Sequence, residues 1–331
     1  MKPQPNVPAA ERGAALLSIL LLVAILSVIA ATTLDRVILS TKLSGNGQAM
    51  RQARLLAYAA EDIALARLAD LRAADAAQTT MAGGWLATPR RFQLPGGTIS
   101  ATVHDSSNCF NLNSLVQDGE GDLAINPIGR DQFVSLMSAL SIPENSARPI
   151  AAAAVDWADG DNSAQAGGAE DSDYLGSAQN YLAANRLFAH KSELRSVKNV
   201  TPAIYAKLSP FLCALPVASL SPLNPNTLLP EQAPLLAMLY PSGGRTANTA
   251  RSILSKRPGG GYGSVLRFWE SFGAQSAKPI QAVQDQVKMT SNWFRLDLAV
   301  TSGDIELRET ALIAAELAPP MIVWRSWGEA E

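Results

Sequence analysis

Clustered positive charge is missing from this chain. Across 331 residues, 27 Lys and Arg stand against 29 Asp and Glu, a formal net charge of −2. Nucleic-acid backbones are held by concentrated cations, so an even mixture of signs excludes that class of partner. Histidine is scarce as well. His104 and His190 are the only two, and no Gly-x-Ser-x-Gly elbow occurs, which leaves little material for a histidine-rich zinc site or a Ser-His-Asp triad. Each histidine reads as a structural or surface residue. The glycine-rich stretch 259–263 lacks the Lys-Ser/Thr pair of a phosphate loop and follows no strand, so it reads as a turn. Cysteine is limited to Cys109 and Cys213. In an oxidising compartment they would form one long-range disulfide; elsewhere they would be two small buried hydrophobes, and the residues alone leave both open.

What the chain does have is one long apolar run. Residues 14–34 read AALLSILLLVAILSVIAATTL without a charge. As a helix they would be about 31 Å long, the thickness of a bilayer's hydrocarbon core. A secretory signal is cut after its hydrophobic region. Here the polar leader 1–13 ends in Glu11-Arg12-Gly13 directly before the run. That order resembles a prepilin signal, in which a membrane peptidase cuts after Gly; a cut between Gly13 and Ala14 leaves the helix on the mature protein. Pilin-like chains usually carry Glu at the fifth position after the cut, and this chain has Ser18. A carboxylate in hydrocarbon is costly unless paired. Ser18 avoids that cost but cannot supply an ion pair to a neighbour, which suits a subunit added once, at a filament tip. Apolar residues continue at three- and four-residue spacing through 48–73, predicting a near-continuous helix to about Leu71.

The remainder reads as strand, then helix, then strand. Residues 98–104 alternate with β-branched side chains and predict a strand, and 293–300, 304–313 and 321–327 predict three more, with a hairpin turn at 301–303. Between them, helical patterns cover 128–155, 181–190, 201–213 and 226–275. Residues 192–212 resemble a helix-hairpin-helix unit, but without a glycine-rich turn or a basic surround a structural role is expected. The fold class is therefore α+β: a long N-terminal helix and a small antiparallel sheet, with a large helical insertion. The expected divisions are a leader (1–13), a transmembrane helix (14–34), its continuation beyond the membrane (35–72), a first core part (73–119), the insertion (120–280) and the C-terminal strands (281–331).

The densest chemistry lies at 156–173. Asp156, Asp159, Asp161, Glu170, Asp171 and Asp173 fall there among glycines, with no basic residue between them. Folded compactly they would repel one another, and a hard cation that takes six to eight oxygens, such as Ca²⁺, would remove that repulsion. The spacing is not that of an EF-hand. A solvated acidic loop fits the same residues, whereas opposed hydrolytic carboxylates fit poorly in so crowded a stretch.

Taken together, RGAALLSILLLVAILSVIA (12–30), FNLN (110–113), DWADGDNSAQAGGAEDSDYL (156–175), ANR (184–186), SELRSV (192–197) and LNPNT (223–227) resemble the type II secretion system minor pseudopilin K family. The resemblance implies a pseudopilin fold with an inserted helical domain, anchored once in the bacterial inner membrane with its body in the periplasm. It implies a non-enzymatic tip subunit that partners minor pseudopilins I and J, with minor pseudopilin H and major pseudopilin G as further neighbours and prepilin peptidase as its processing enzyme. It also implies calcium in the insertion, held by the six carboxylates named above. The Cys109–Cys213 pairing stays an inference from compartment. Two other readings fit parts of the chain: a membrane-tethered periplasmic hydrolase using the acidic cluster, and a minor pilin of a type IV pilus.

Overall fold

The structure is a computed structural model, describing residues 9–119, 121–176, 180–240, 246–272 and 279–328. Its first element, α1 (Ala9–Ala74), is a single helix of 66 residues. Hydroxyls within the apolar run are satisfied by the helix itself: Ser18 donates to Ala14 O (2.9 Å), Ser27 to Val23 O (2.8 Å) and Thr33 to Ile29 O (2.8 Å). Side chains from Leu16 to Leu43 are exposed, and this stretch reaches a mean hydropathy of 2.6, apolar enough to cross a membrane. Beyond it the helix becomes one-sided. Ala53, Leu56, Ala57, Ala60 and Leu68 are buried, and they pack on the sheet. The small residues let the helix backbone approach closely.

That sheet begins with a hairpin, β1 (Arg90–Leu94) and β2 (Gly97–Asp105), paired antiparallel. The chain then leaves the sheet for a helical body. A two-residue strand β3 (Phe110–Asn111) leads into a 3-10 turn at Leu112–Leu115, followed by β4 (Val116–Asp118) and β5 (Leu123–Ile125). Next come α2 (Pro127–Ala139), capped by the Asn126 side chain, α3 (Glu144–Asp156) and the short α4 (Asp171–Leu175). After a 3-10 turn at Lys191–Ser196 the chain forms α5 (Pro202–Leu208) and β6 (Leu212–Cys213), which pairs parallel with β3. The body is completed by α6 (Ala233–Ala237), α7 (Ala247–Ser255), α8 (Val265–Ser271) and α9 (Gln281–Gln286). Its core includes Phe110 stacked on Phe133, with ring centroids 4.8 Å apart.

The chain re-enters the sheet as β7 (Trp293–Ser302), β8 (Ile305–Ala314) and β9 (Met321–Trp327), giving the antiparallel order β1-β2-β7-β8-β9. Leu296, Leu298, Val300, Ala311 and Ile313 face α1 and alternate with residues on the other face. This is the α+β pilin-like arrangement with an inserted helical domain.

Three details differ from the sequence reading. The hairpin turn is Gly303-Asp304, because β7 keeps its register through Ser302↔Ile305. The body starts and ends nearer the sheet than 120 and 280: Phe110, Leu112, Leu115 and Val116 at one end, and Val283, Val287 and Met289 at the other, bury side chains in the helical core. Residues 181–190 do not form the expected helix. Their backbone groups are claimed by other segments: Ala183 N donates to Asp171 Oδ1, Asn185 N to Trp157 O, and Phe188 N to Asn113 Oδ1, while Asn113 Nδ2 donates back to Phe188 O.

Both crossings between sheet and body meet at one half-buried acid. Asp105, the last residue of β2, accepts from Ser107 N (2.8 Å), Asn108 Nδ2 (3.2 Å), Thr227 Oγ1 and Ser291 Oγ. Asn224 extends this junction, donating to Ser291 Oγ (2.8 Å) and to Thr79 O just beyond α1 (3.1 Å). Burial pushes the Asp105 carboxyl above its ordinary range, against the pull of those donors.

Candidate metal centre

The acidic stretch is shaped by its own first member. α3 ends at Asp156, whose side chain is fully buried. Its carboxylate accepts from Gln165 N (3.1 Å) and Ala169 N (2.7 Å), closing residues 157–169 into a loop. A Cβ on Gly168 would collide with this buried carboxylate, so that position demands glycine on spatial grounds, while one on Gly160 would meet the exposed carboxylate of Asp122. The loop delivers Glu170 to the N-terminal end of α4.

Three carboxylates converge. Ligand oxygens of Asp159, Asp161 and Glu170 all lie within 4.8 Å of one another. Asp159 is 2% and Glu170 5% exposed, whereas Asp161 faces solvent. Asp159 Oδ1 and both Glu170 oxygens are buried without a hydrogen bond of ordinary geometry. A buried carboxylate in that condition is costly. Burial first, then repulsion from neighbouring carboxylates, pushes both Asp159 and Glu170 up to about 7.

The other three acids hold the frame. Asp156 is occupied by the loop amides, and burial raises its carboxyl against those donors. Asp171 accepts from Ala183 N. Asp173 receives Lys198 Nζ at 2.7 Å and Glu170 N at 3.3 Å, and the Lys198 bond holds its carboxyl below the usual range. Asp122, just before β5, was missed in the sequence. Its charge contributes to the raised Asp159, and its carboxylate sits over Gly160. The run of acids at 118–122 was the available signal, but nothing local joins it to residue 159.

The donors fit a hard divalent cation: carboxylate oxygens only, two of them on buried side chains, with orphaned lone pairs aimed into the cluster. The two histidines stand elsewhere, His104 with Nε2 3.3 Å from Asp297 and His190 bonded to Ser192 and stacked on Trp324.

The remaining predicted positions are placed as follows. Gly13 and Ala14 lie in the opening turns of α1, and the Ser18 hydroxyl is turned back on Ala14 O. Cys109 and Cys213 form a disulfide with Cα atoms 5.8 Å apart, beside the β3–β6 pairing. In the helix-hairpin-helix-like segment, Lys198 is engaged by Asp173, and the first helix is reduced to the 3-10 turn.

Two family models, both described as type II secretion system (T2SS), protein K, match residues 108–217 and 223–290. Those limits coincide with the helical body. Type II secretion system protein K of Pectobacterium carotovorum subsp. carotovorum is 32% identical, over 96% of this chain and 97% of that protein. The Klebsiella pneumoniae protein of the same name is 31% identical over 96% and 97%. A chain in the crystal structure of the GspK–GspI–GspJ complex from the enterotoxigenic Escherichia coli type 2 secretion system superposes with a TM-score of 0.73. It is 31% identical, and the match covers 87% of this chain and 99% of that one.

Proposed function

This chain belongs to the type II secretion system protein K family and is a minor pseudopilin; we propose that it occupies the tip of the secretion pseudopilus and helps start its assembly. The observation that carries this reading is the combination of α1 with the body placed on its sheet. α1 offers the apolar surface by which pilin-like helices associate, but at position 18 it presents a hydroxyl satisfied within its own helix. With no carboxylate there to pair with a neighbouring subunit's amine, this chain suits a position with no subunit above it, from which others add below. The body of residues 106–292, much larger than the sheet domain in chain length, suits an end position.

The partners are minor pseudopilins I and J, by analogy with the complex that the structurally similar chain forms. Minor pseudopilin H and major pseudopilin G lie below them. Prepilin peptidase cuts between Gly13 and Ala14, α1 stays in the inner membrane, and the body faces the periplasm. The Cys109–Cys213 bridge supports that side, since such bonds persist where thiols are oxidised. The role is structural and not enzymatic.

Calcium is the cation that the carboxylate centre is built for. Asp159, Asp161 and Glu170 would hold it, with the charge of Asp122 adding to the attraction. The ion supplies positive charge that removes their repulsion and ties the end of α3 to the start of α4.

Coexpression of the full chain with pseudopilins I and J, followed by detergent extraction and copurification, tests the assignment. A stoichiometric ternary complex is expected. Recovery of this chain alone, with I and J forming a pair that excludes it, would overturn the tip position.

A further inference from the structure

The seam between α1 and the sheet carries two acids for one base. Glu61 points from α1 onto the sheet, Glu309 rises from β8 beside it, and Arg325 reaches both from β9. Arg325 gives Glu61 a fork: Nε to Oε1 and Nη2 to Oε2, each 2.6 Å. Glu309 receives only a share of the same Nε, at 3.1 Å to Oε1. Its Oε2 is buried without a hydrogen bond. The side chains of Glu61 and Glu309 are 5% and 0% exposed.

Among the described residues, no neighbouring element supplies Glu309 with a second ion pair. β7 presents Leu298 opposite it, and β9 presents Trp327. From α1 come Tyr58, whose ring lies under the Arg325 guanidinium at 5.2 Å, and Arg54, which sits over Trp327 at 6.0 Å. Arg54 is exposed and turned to that ring. Two carboxylates this close, sharing one guanidinium away from water, cannot both stay ionised cheaply.

We infer that Glu309 carries a proton at neutral pH and donates it to Glu61, making the seam a proton-dependent latch that holds α1 to the sheet. In this state Glu61 and Arg325 form one complete ion pair. The otherwise orphaned Glu309 oxygen becomes a donor, and the buried charges cancel. Burial, then the hydrogen bond and negative charge of Glu61, push Glu309 up to about 8 from an ordinary value of 4.5, with Arg325 opposing. The sign follows from linkage. The folded chain keeps a proton that the unfolded chain releases, so the contribution is complete below 4.5 and is lost as pH rises through about 8. Alkaline conditions therefore weaken the attachment of sheet and body to the membrane helix.

The test uses the full chain in detergent micelles with calcium present. Infrared spectra at pH 7 should contain a protonated-carboxyl band that is lost in E309Q and that titrates out near pH 8 in the wild type. The folding equilibrium constant of the wild type should fall with rising pH more steeply than that of E309Q, by up to about tenfold per pH unit between the two pKa values. Gln is the nearest neutral copy of a protonated Glu, so E309Q should fold and retain the latch at alkaline pH. An E309Q that fails to fold, a wild-type minus E309Q difference spectrum without the band, or equal pH slopes would each overturn the latch.

Discussion

Asp159 and Asp156 lie three positions apart on the same turn and do different work. Asp156 takes backbone donors at 2.7–3.1 Å and shapes the loop; Asp159 keeps an orphaned oxygen facing Asp161 and Glu170. Replacing Asp159 with Asn should therefore remove calcium-dependent stabilisation and leave the metal-free fold intact, since one repelling charge is deleted. With the proposed site filled, calcium at a hundred times its dissociation constant would add about 2.7 kcal/mol to the wild type. Melting curves with calcium and with chelator measure the difference: several degrees in the wild type, close to zero in Asp159→Asn. Asp156→Asn should instead lower stability with or without metal. The six acids were visible as a cluster in the sequence, but the division of labour was not. Which of them carries free lone pairs depends on amides from Gln165, Ala169 and Ala183, and on Lys198, and no local spacing specifies where those will be.

α1 is the element most fully written in local sequence. Uncharged residues over the span, apolar spacing beyond it and hydroxyls that can bond back to their own helix all agree, and the result is one helix. Gly45 and Gly47 lie inside it, and both are helical. A Cβ at Gly45 would meet nothing within 4 Å, and one at Gly47 only Arg51 Nη1 at 3.6 Å. Changing both to Ala should stabilise the helix there by about 1 kcal/mol each. Slower amide exchange over residues 44–48, with the fold unchanged, is the expected readout. The opposite case is 181–190, where residues of good helical pattern were overridden because Asn113, Asp171 and Trp157 offered their backbone groups longer-range partners. Propensity is a weak preference, and a buried amide that can clamp both sides of Phe188 outweighs it.

At the scale of the whole molecule, sheet and body are joined at several points, among them the stacking of His190 on Trp324. Two chain crossings, the Asp105 junction and the small cluster of Leu215, Trp293 and Ala314 connect them. Within the body, the disulfide closes a sequence separation of 104 residues. Loop-closure entropy at that length predicts a contribution of about 4–5 kcal/mol. A Cys109→Ser, Cys213→Ser double variant should melt markedly lower than the wild type in non-reducing buffer. Adding reductant should lower the wild type and not the variant.

The sequence by itself determined the parts whose signals are local: the apolar anchor and its leader, the α+β succession, the alternating strands and the concentration of acids. Its motifs also carried the family. Tertiary structure alone decided that the body begins at about residue 106, that Asp122 joins a loop far along the chain, and that only three of six acids converge. It also set Glu61, Glu309 and Arg325 against one another from three separate elements. Periodicity reports which face a residue occupies relative to its neighbours in the chain. The charge, burial and free lone pairs that give a site its chemistry are set by segments that meet only when the chain has folded.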